Sequence, residues 1–269
     1  MGESLIPSLI ERQNVIKGGI DLLLKGTAAI VTGASRGIGK AVALTLAEHG
    51  ASLVINGTNA ELLNDLALQI EVLGQKCVIH IGDAARPETA AQAAEAAMEH
   101  FGRIDILVNN AGINMRSSTL EMKIEDWQTV LDVNLNGTLF FCKAVLPYMM
   151  EQKYGKIVNM SSTTAKSAHR NAAPSYGASK AGVNYLTRHL ALEMAPNNIF
   201  VNAVCPGPIE TDMSRQWSEE YRREVTARIP LQKLGTPKHV ADAVLFLASS
   251  MSDFVTGETI NVNGGTYMN

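Results

Sequence analysis

Short apolar runs recur along the chain, separated by long helical patterns: Ala28-Ala29-Ile30-Val31, Ser52-Leu53-Val54-Ile55, Cys77-Val78-Ile79-His80-Ile81, Ile104-Asp105-Ile106-Leu107-Val108, Lys156-Ile157-Val158-Asn159-Met160 and Ile199-Phe200-Val201-Asn202-Ala203-Val204. A strand covered on both faces carries little polar alternation, so near-continuous apolar runs alternating with helices predict a parallel sheet between two helical layers. A final run near Thr259-Ile260-Asn261-Val262 would complete seven strands. The 269 residues, 46% hydrophobic and 18% charged, suffice for one large α/β core. No repeat or low-complexity tract interrupts them. Residues 26–269 therefore read as one domain, after an extension over 1–25 with Gly18-Gly19 as its hinge.

The first run leads into Thr32-Gly33-Ala34-Ser35-Arg36-Gly37-Ile38-Gly39 and then a helical pattern to about His49. Strand, glycine turn and helix together let backbone N–H groups approach a pyrophosphate, with the helix dipole favouring the anion. The spacing, Gly-x-x-x-Gly-x-Gly, is one residue wider than the usual dinucleotide fingerprint, and alone it also suits a tight structural loop. Tyr176 and Lys180 lie four apart in Pro174-Ser175-Tyr176-Gly177-Ala178-Ser179-Lys180. On a helix they share a face, so the Lys180 ammonium is expected beside the phenolic oxygen, pulling a pKa of about 10 toward neutrality. Alone, the pair equally describes a solvated helix face.

A net charge of −3 offers no basic surface for nucleic acid. Cys77, Cys142 and Cys205 lie far apart, mostly in apolar patterns, and read as buried free thiols in a reducing compartment. No metal is expected. No apolar run is long enough to span a bilayer, and the N-terminus lacks a basic start followed by an apolar core, so the cytoplasm is the expected location.

Further motifs join these in a fixed order: Asn109-Asn110-Ala111-Gly112, Asp132-Val133-Asn134, Ser161-Ser162, the Tyr176/Lys180 pair and Pro206-Gly207-Pro208-Ile209-Glu210-Thr211. From about Lys25 to the C-terminus the chain resembles the short-chain dehydrogenase/reductase family. The resemblance implies a doubly wound Rossmann fold with a seven-stranded parallel sheet and helices on both faces. It also implies that Tyr176 gives a proton to a substrate carbonyl during reduction, with Lys180 lowering its pKa and binding the nicotinamide ribose. Ser162 would donate to the substrate oxygen. Asn134 would distort its helix and hold a water leading to Lys180. Ser162 precedes Tyr176 by 14 positions, against the commoner 13, which places an extra residue in the pocket-lining loop.

The same resemblance implies cofactor contacts from Gly33, Ser35, Arg36, Gly37, Ile38, Gly39, Thr58, Asp83, Asn110, Ala111, Gly112, Tyr176, Lys180, Pro206, Gly207, Ile209 and Thr211. The second strand ends in Ile55-Asn56-Gly57-Thr58-Asn59 without the carboxylate that would repel a 2′-phosphate, and Arg36 could pair with one. NADP(H) is therefore favoured over NAD(H). Arg116 and Arg170 are candidates for a substrate carboxylate, although solvated loop positions describe them equally well. Met213 to Ile229 corresponds to the family's mobile lid, with a plain surface helix as the alternative reading.

Among subfamilies, the bacterial 3-oxoacyl-[acyl-carrier-protein] reductases are most similar, through the glycine turn, Pro206 to Met213, and Val255 to Gly265. This implies a small-molecule or acyl-thioester substrate. Where those reductases place basic residues near the site entrance for an acidic carrier protein, this chain has Glu151-Gln152-Lys153-Tyr154 and Pro196-Asn197-Asn198, with only Lys153 basic. Asn114-Met115 before Arg116, with Arg170, is instead similar to gluconate and other sugar-acid dehydrogenases. A non-catalytic regulator would show a broken Ser, Tyr, Lys or Asn, and all four are present. Phe200, where relatives usually carry arginine, has no role legible in the sequence. The family's habit of pairing its long helices implies a homotetramer, here with Val130, Val133, Leu139, Phe140, Val183, Leu186 and Leu190 as the apolar stripe and the C-terminal tail at a second interface.

Overall fold

The computed structural model describes residues 22–269 apart from 170, 171, 212, 213, 215 and 216. The Gly18-Gly19 hinge, Arg170 and Met213 therefore lie outside the described residues. The first half of the sheet alternates β1 (Ala28–Val31), α1 (Gly37–Glu48), β2 (Ser52–Gly57), α2 (Ala60–Val72), β3 (Cys77–Ile81), α3 (Pro87–Phe101) and β4 (Ile106–Asn109). In the second half α4 (Ile124–Leu131) runs through a π-helical turn (Asp132–Asn136) into α5 (Gly137–Gln152). Then follow β5 (Gly155–Met160), α6 (Pro174–Met194), β6 (Ile199–Pro206), α7 (Glu219–Ala227), α8 (Pro237–Ala248) and β7 (Thr259–Val262). The order is β3-β2-β1-β4-β5-β6-β7, with every pairing parallel. The order reverses between β1 and β4, and this opens a crevice at the carboxyl ends of the strands.

Successive strand residues point to opposite faces, which explains why the strands read as unbroken apolar runs. Ile30 and Val54 pack with Phe141, Val145, Met149 and Leu190 on one face. Val31, Leu53 and Ile55 pack with Val42, Leu46, Leu66 and Val244 on the other. Each such side chain, fully withdrawn from water, stabilises the fold by about 1.5–3 kcal/mol. The edge strand β3 is only half covered, and its Cys77 is half-buried, whereas Cys142 and Cys205 are buried; all three are free thiols.

Lys156 breaks the apolar pattern inside β5, yet its side chain is wholly buried. Its Nζ reaches Asp253 Oδ1 at 2.7 Å and Ser252 Oγ at 3.3 Å, and lies 3.7 Å from the ring centre of Phe200. Lys156 and Phe200 are register partners on β5 and β6. Phe200 thus offers its aromatic face to a buried ammonium, a role an arginine there would not fill. Burial lowers the Lys156 pKa, and Asp253 opposes that shift.

The apolar stripe expected at a subunit contact is partly core, because Val130, Val183 and Leu190 are buried within the chain. On the same helices the exposed apolar residues are instead Ile124, Met150, Tyr185 and Leu192. Among the described residues, no helix is long and apolar enough to cross a membrane, and no cluster of His, Cys, Asp and Glu could hold a metal.

Candidate active site

The twelve-residue helix α1 begins over the crevice with Arg36 in its N-cap position, no side-chain capping bond and no acidic residue in the first turn. Its leading N–H groups are left for an anion to satisfy. Gly37 has φ +56°, and a Cβ there would meet only the Thr211 methyl at 3.8 Å, so open space lies over the helix end with Thr211 as a wall. Gly39 serves the opposite purpose. A Cβ on it would stand 2.2 Å from the Gly33 oxygen, so only glycine lets the helix pack against the turn. Free donors facing open space fit a dinucleotide pyrophosphate.

Thr32, a residue not singled out from the sequence, straps the neighbouring loop to this turn. Its Oγ1 accepts from the N–H groups of Asn110 and Ala111, both at 3.0 Å. The Asn110 amide donates to the oxygens of Thr32 and Gly33, also at 3.0 Å, so Asn110 is occupied in holding the two loops together. Ile38 is half-buried against the core, and Ile209 is buried beside Gly235. Gly207 donates to the Val262 oxygen at 3.0 Å just after Pro206 ends β6. Ser35, Arg36 and Thr58 lie on the adjoining rim, Arg36 and Thr58 exposed, and Arg36 has no ion-pair partner among the described residues. Asn56 is not on that rim, since its buried amide donates to the oxygens of His80 and Gly82. Asp83 is exposed after β3 and accepts from the Ala85 N–H at 3.0 Å.

The reactive groups gather where β5, α6 and the π-helical turn meet. Pro174 opens α6, which places Tyr176 in the first turn and Lys180 one turn on. The Ser162 hydroxyl lies by the Tyr176 phenol and favours its ionised form. Ser162 Oγ accepts from Thr164 N at 3.2 Å and from Thr164 Oγ1 at 2.9 Å, so its own hydrogen is free to point at the phenol or a substrate oxygen. Asn134, buried in the π-helical turn, accepts from Ile113 N at 2.8 Å and donates to Ile113 O at 2.9 Å and Ser179 Oγ at 3.0 Å. A Cβ on Gly112 would come within 3.3 Å of both Asn134 Oδ1 and Lys180 Nζ, which therefore flank that glycine together.

Two expectations about the pair need correction. Lys180 Nζ is not hydrogen-bonded to the phenolic oxygen; it donates to Met160 O at 2.7 Å and lies 5.8 Å from the Tyr176 ring centre. Nor is the phenol pKa depressed: burial pushes it up, with only partial relief from the neighbouring Ser162 hydroxyl. Burial also pulls Lys180 down to about 8. Desolvation is the largest influence on both groups.

Arg116 is exposed, without an ion-pair partner among the described residues, on a segment whose Asn114 Oδ1 accepts from Ala173 N at 3.3 Å. That bond ties the loop after β4 to the start of the Tyr176 helix. The two places expected near the site entrance lie elsewhere: Asn198 Nδ2 donates to Lys153 O at 3.2 Å, ahead of β6 and β5 respectively. They sit at the amino edge of the sheet, a strand's length from Tyr176. Helix α7 has no buried residue and is tied down by the Arg222–Glu210 ion pair at 3.2 Å.

A pyrophosphate cradle at the sheet's reversal point, beside a Ser-Tyr-Lys-Asn group, defines a nicotinamide-dinucleotide-dependent oxidoreductase. The family model described as enoyl-(acyl carrier protein) reductase matches residues 33–267. The chain is 40% identical over 242 residues to the 3-oxoacyl-[acyl-carrier-protein] reductase FabG of Thermotoga maritima, covering 90% of this chain and 98% of that one. Against the FabG of Escherichia coli K12 the identity is 38% over 244 residues, covering 91% and 98%. Among solved structures, a short-chain type dehydrogenase/reductase from Mycobacterium marinum superposes with a TM-score of 0.88 at 33% identity, covering 93% and 98%. One from Agrobacterium tumefaciens, provisionally assigned as a gluconate dehydrogenase, gives 0.87 at 35%, covering 92% and 98%. The chain belongs to the short-chain dehydrogenase/reductase family and is an NAD(P)-dependent enzyme of it.

Proposed function

We propose that the enzyme reduces the 3-oxo group of an acyl thioester to a secondary alcohol with NADPH, in the cytoplasm, as one catalytic domain over residues 26–269. The observation that carries this reading is the grouping of Ser162, Tyr176 and buried Lys180 beside Asn134 and the uncapped end of α1. The thioester assignment draws on the likeness to 3-oxoacyl reductases. A bound reduced nicotinamide supplies the hydride for the carbonyl carbon. Ser162 donates to the carbonyl oxygen and steadies the charge that gathers there. Tyr176 then gives its phenolic proton to that oxygen. Lys180, mostly charged at neutral pH, steadies the phenolate left after that transfer, and Asn134 keeps the π-helical turn in place beside it. The preference for NADPH rests on exposed Arg36 and Thr58 and on the missing carboxylate after β2.

A second reading, a sugar-acid dehydrogenase, is favoured by one feature: Arg116, exposed without an ion pair among the described residues on the segment tied to Ala173. Following NADPH absorbance with acetoacetyl-N-acetylcysteamine and with keto-gluconates separates the two. Faster turnover of the thioester is expected, and faster turnover of the sugar acid would replace the first reading. Assembly as a homotetramer is supported by exposed Ile124, Tyr185 and Leu192 on the long helices and by Phe254 and Met268 near the C-terminus. Light scattering is expected to give four times the 28.9 kDa chain mass, and a monomer mass would refute it.

A further inference from the structure

Beneath the crevice runs a chain of buried polar groups that no step of the proposed reaction uses. Asn109 Nδ2 donates to Asn159 Oδ1 at 2.9 Å, Asn159 Nδ2 donates to Thr187 Oγ1 at 3.0 Å, and Thr187 Oγ1 donates to Val183 O at 2.8 Å. Asn159 and Thr187 are completely buried, and Asn109 nearly so. Every donor points the same way, from the end of β4 toward α6, so each bond polarises the next. Unpaired amides in such a place are costly, and a chain of this kind tolerates little displacement at either end.

Both ends meet the candidate site. Asn109 precedes Asn110, whose amide holds the glycine turn through Thr32 and Gly33. Asn159 precedes Met160, whose oxygen receives Lys180 Nζ. Thr187 lies seven residues beyond Lys180 on α6, which puts both on one helix face. Resting on the roles proposed above for Tyr176 and Lys180, we propose that Asn159 and Thr187 are positioning residues: their hydrogen bond fixes α6 on β5 in the register that seats Lys180 against Met160 and holds Tyr176 to the cofactor cradle.

The test uses the full-length enzyme with NADPH and acetoacetyl-N-acetylcysteamine. Thr187→Val keeps the side-chain volume but removes the hydroxyl, and should lower kcat about tenfold, as expected for one lost buried hydrogen bond. It should also shift the alkaline limb of the kcat–pH profile while changing KM for the thioester much less, and Thr187→Ser should restore both. Should the valine variant fail to fold, Asn159→Thr, too short to bridge both partners, carries the same readouts. A lowered melting temperature with an unmoved pH limb would show mere structural support and overturn the inference, as would a serine variant no better than valine. Tyr176→Phe is the control: full activity there overturns the reading of the site itself, whereas an inactive Tyr176→Phe with an unshifted Thr187→Val limb overturns only this inference.

Discussion

Lys180 donates to the main-chain oxygen of Met160 across 2.7 Å, a buried ammonium held by a single neutral carbonyl. Burial brings its pKa down from 10.5 to about 8. Below pH 8 both the folded and unfolded chains carry the proton, so folding bears the full cost of the buried charge. Between about 8 and 10.5 only the unfolded chain keeps it, and stability rises with pH. Lys180→Met should therefore melt several degrees higher than the parent at pH 7, with the gain shrinking toward pH 10, while activity is lost. Calorimetry across that range checks the pattern, and a gain that does not depend on pH contradicts it.

Tyr176→Phe should lower carbonyl reduction about 10²-fold or more while leaving cofactor affinity nearly unchanged, since the ring stays and the transferable proton goes. Because burial raises the phenol pKa, the parent enzyme should reduce at a steady rate through neutral pH and decline only in the alkaline range. Alcohol oxidation, which needs the phenolate, should climb over that range. Turnover measured in both directions against pH tests this, and a decline in reduction at neutral pH would speak against the assignment.

Exposed Arg36, uncommitted to any ion pair among the described residues, should discriminate between cofactors. Arg36→Ala is expected to weaken NADPH by about 10–150-fold, the worth of one charge-assisted hydrogen bond, and NADH far less. Fluorescence titration with each cofactor decides it. Equal losses would mean that Arg36 only shapes the turn.

Phe200→Leu removes the aromatic face from the buried Lys156 ammonium, 3.7 Å away, and should cost about 2 kcal/mol. That corresponds to a fall in Tm of roughly 4–8 °C for a chain of this size. Phe200→Tyr, which keeps the ring, should melt near the parent. Thermal unfolding of the pair settles the point, because equal falls would place the effect in packing instead.

The alternation of apolar runs and helices determined the parallel sheet, and the glycine turn with Tyr176 and Lys180 marked where chemistry would concentrate. Those features are legible because they are local: a strand's burial and a helix's i, i+4 face follow from neighbours along the chain. Tertiary structure decided what depends on distant partners. Lys180 spends its hydrogen bond on Met160 of β5, and burial, not a neighbouring charge, sets the direction of the phenol pKa. Thr32, Asn159 and Thr187 are ordinary residues in the sequence and become straps only when β1, β4, β5 and α6 are brought side by side. Lys153 and Asn198 look like entrance residues by position in the chain, yet the sheet sets them at its opposite edge. Phe200 has meaning only through Lys156, 44 positions earlier in sequence and directly across the strand pairing.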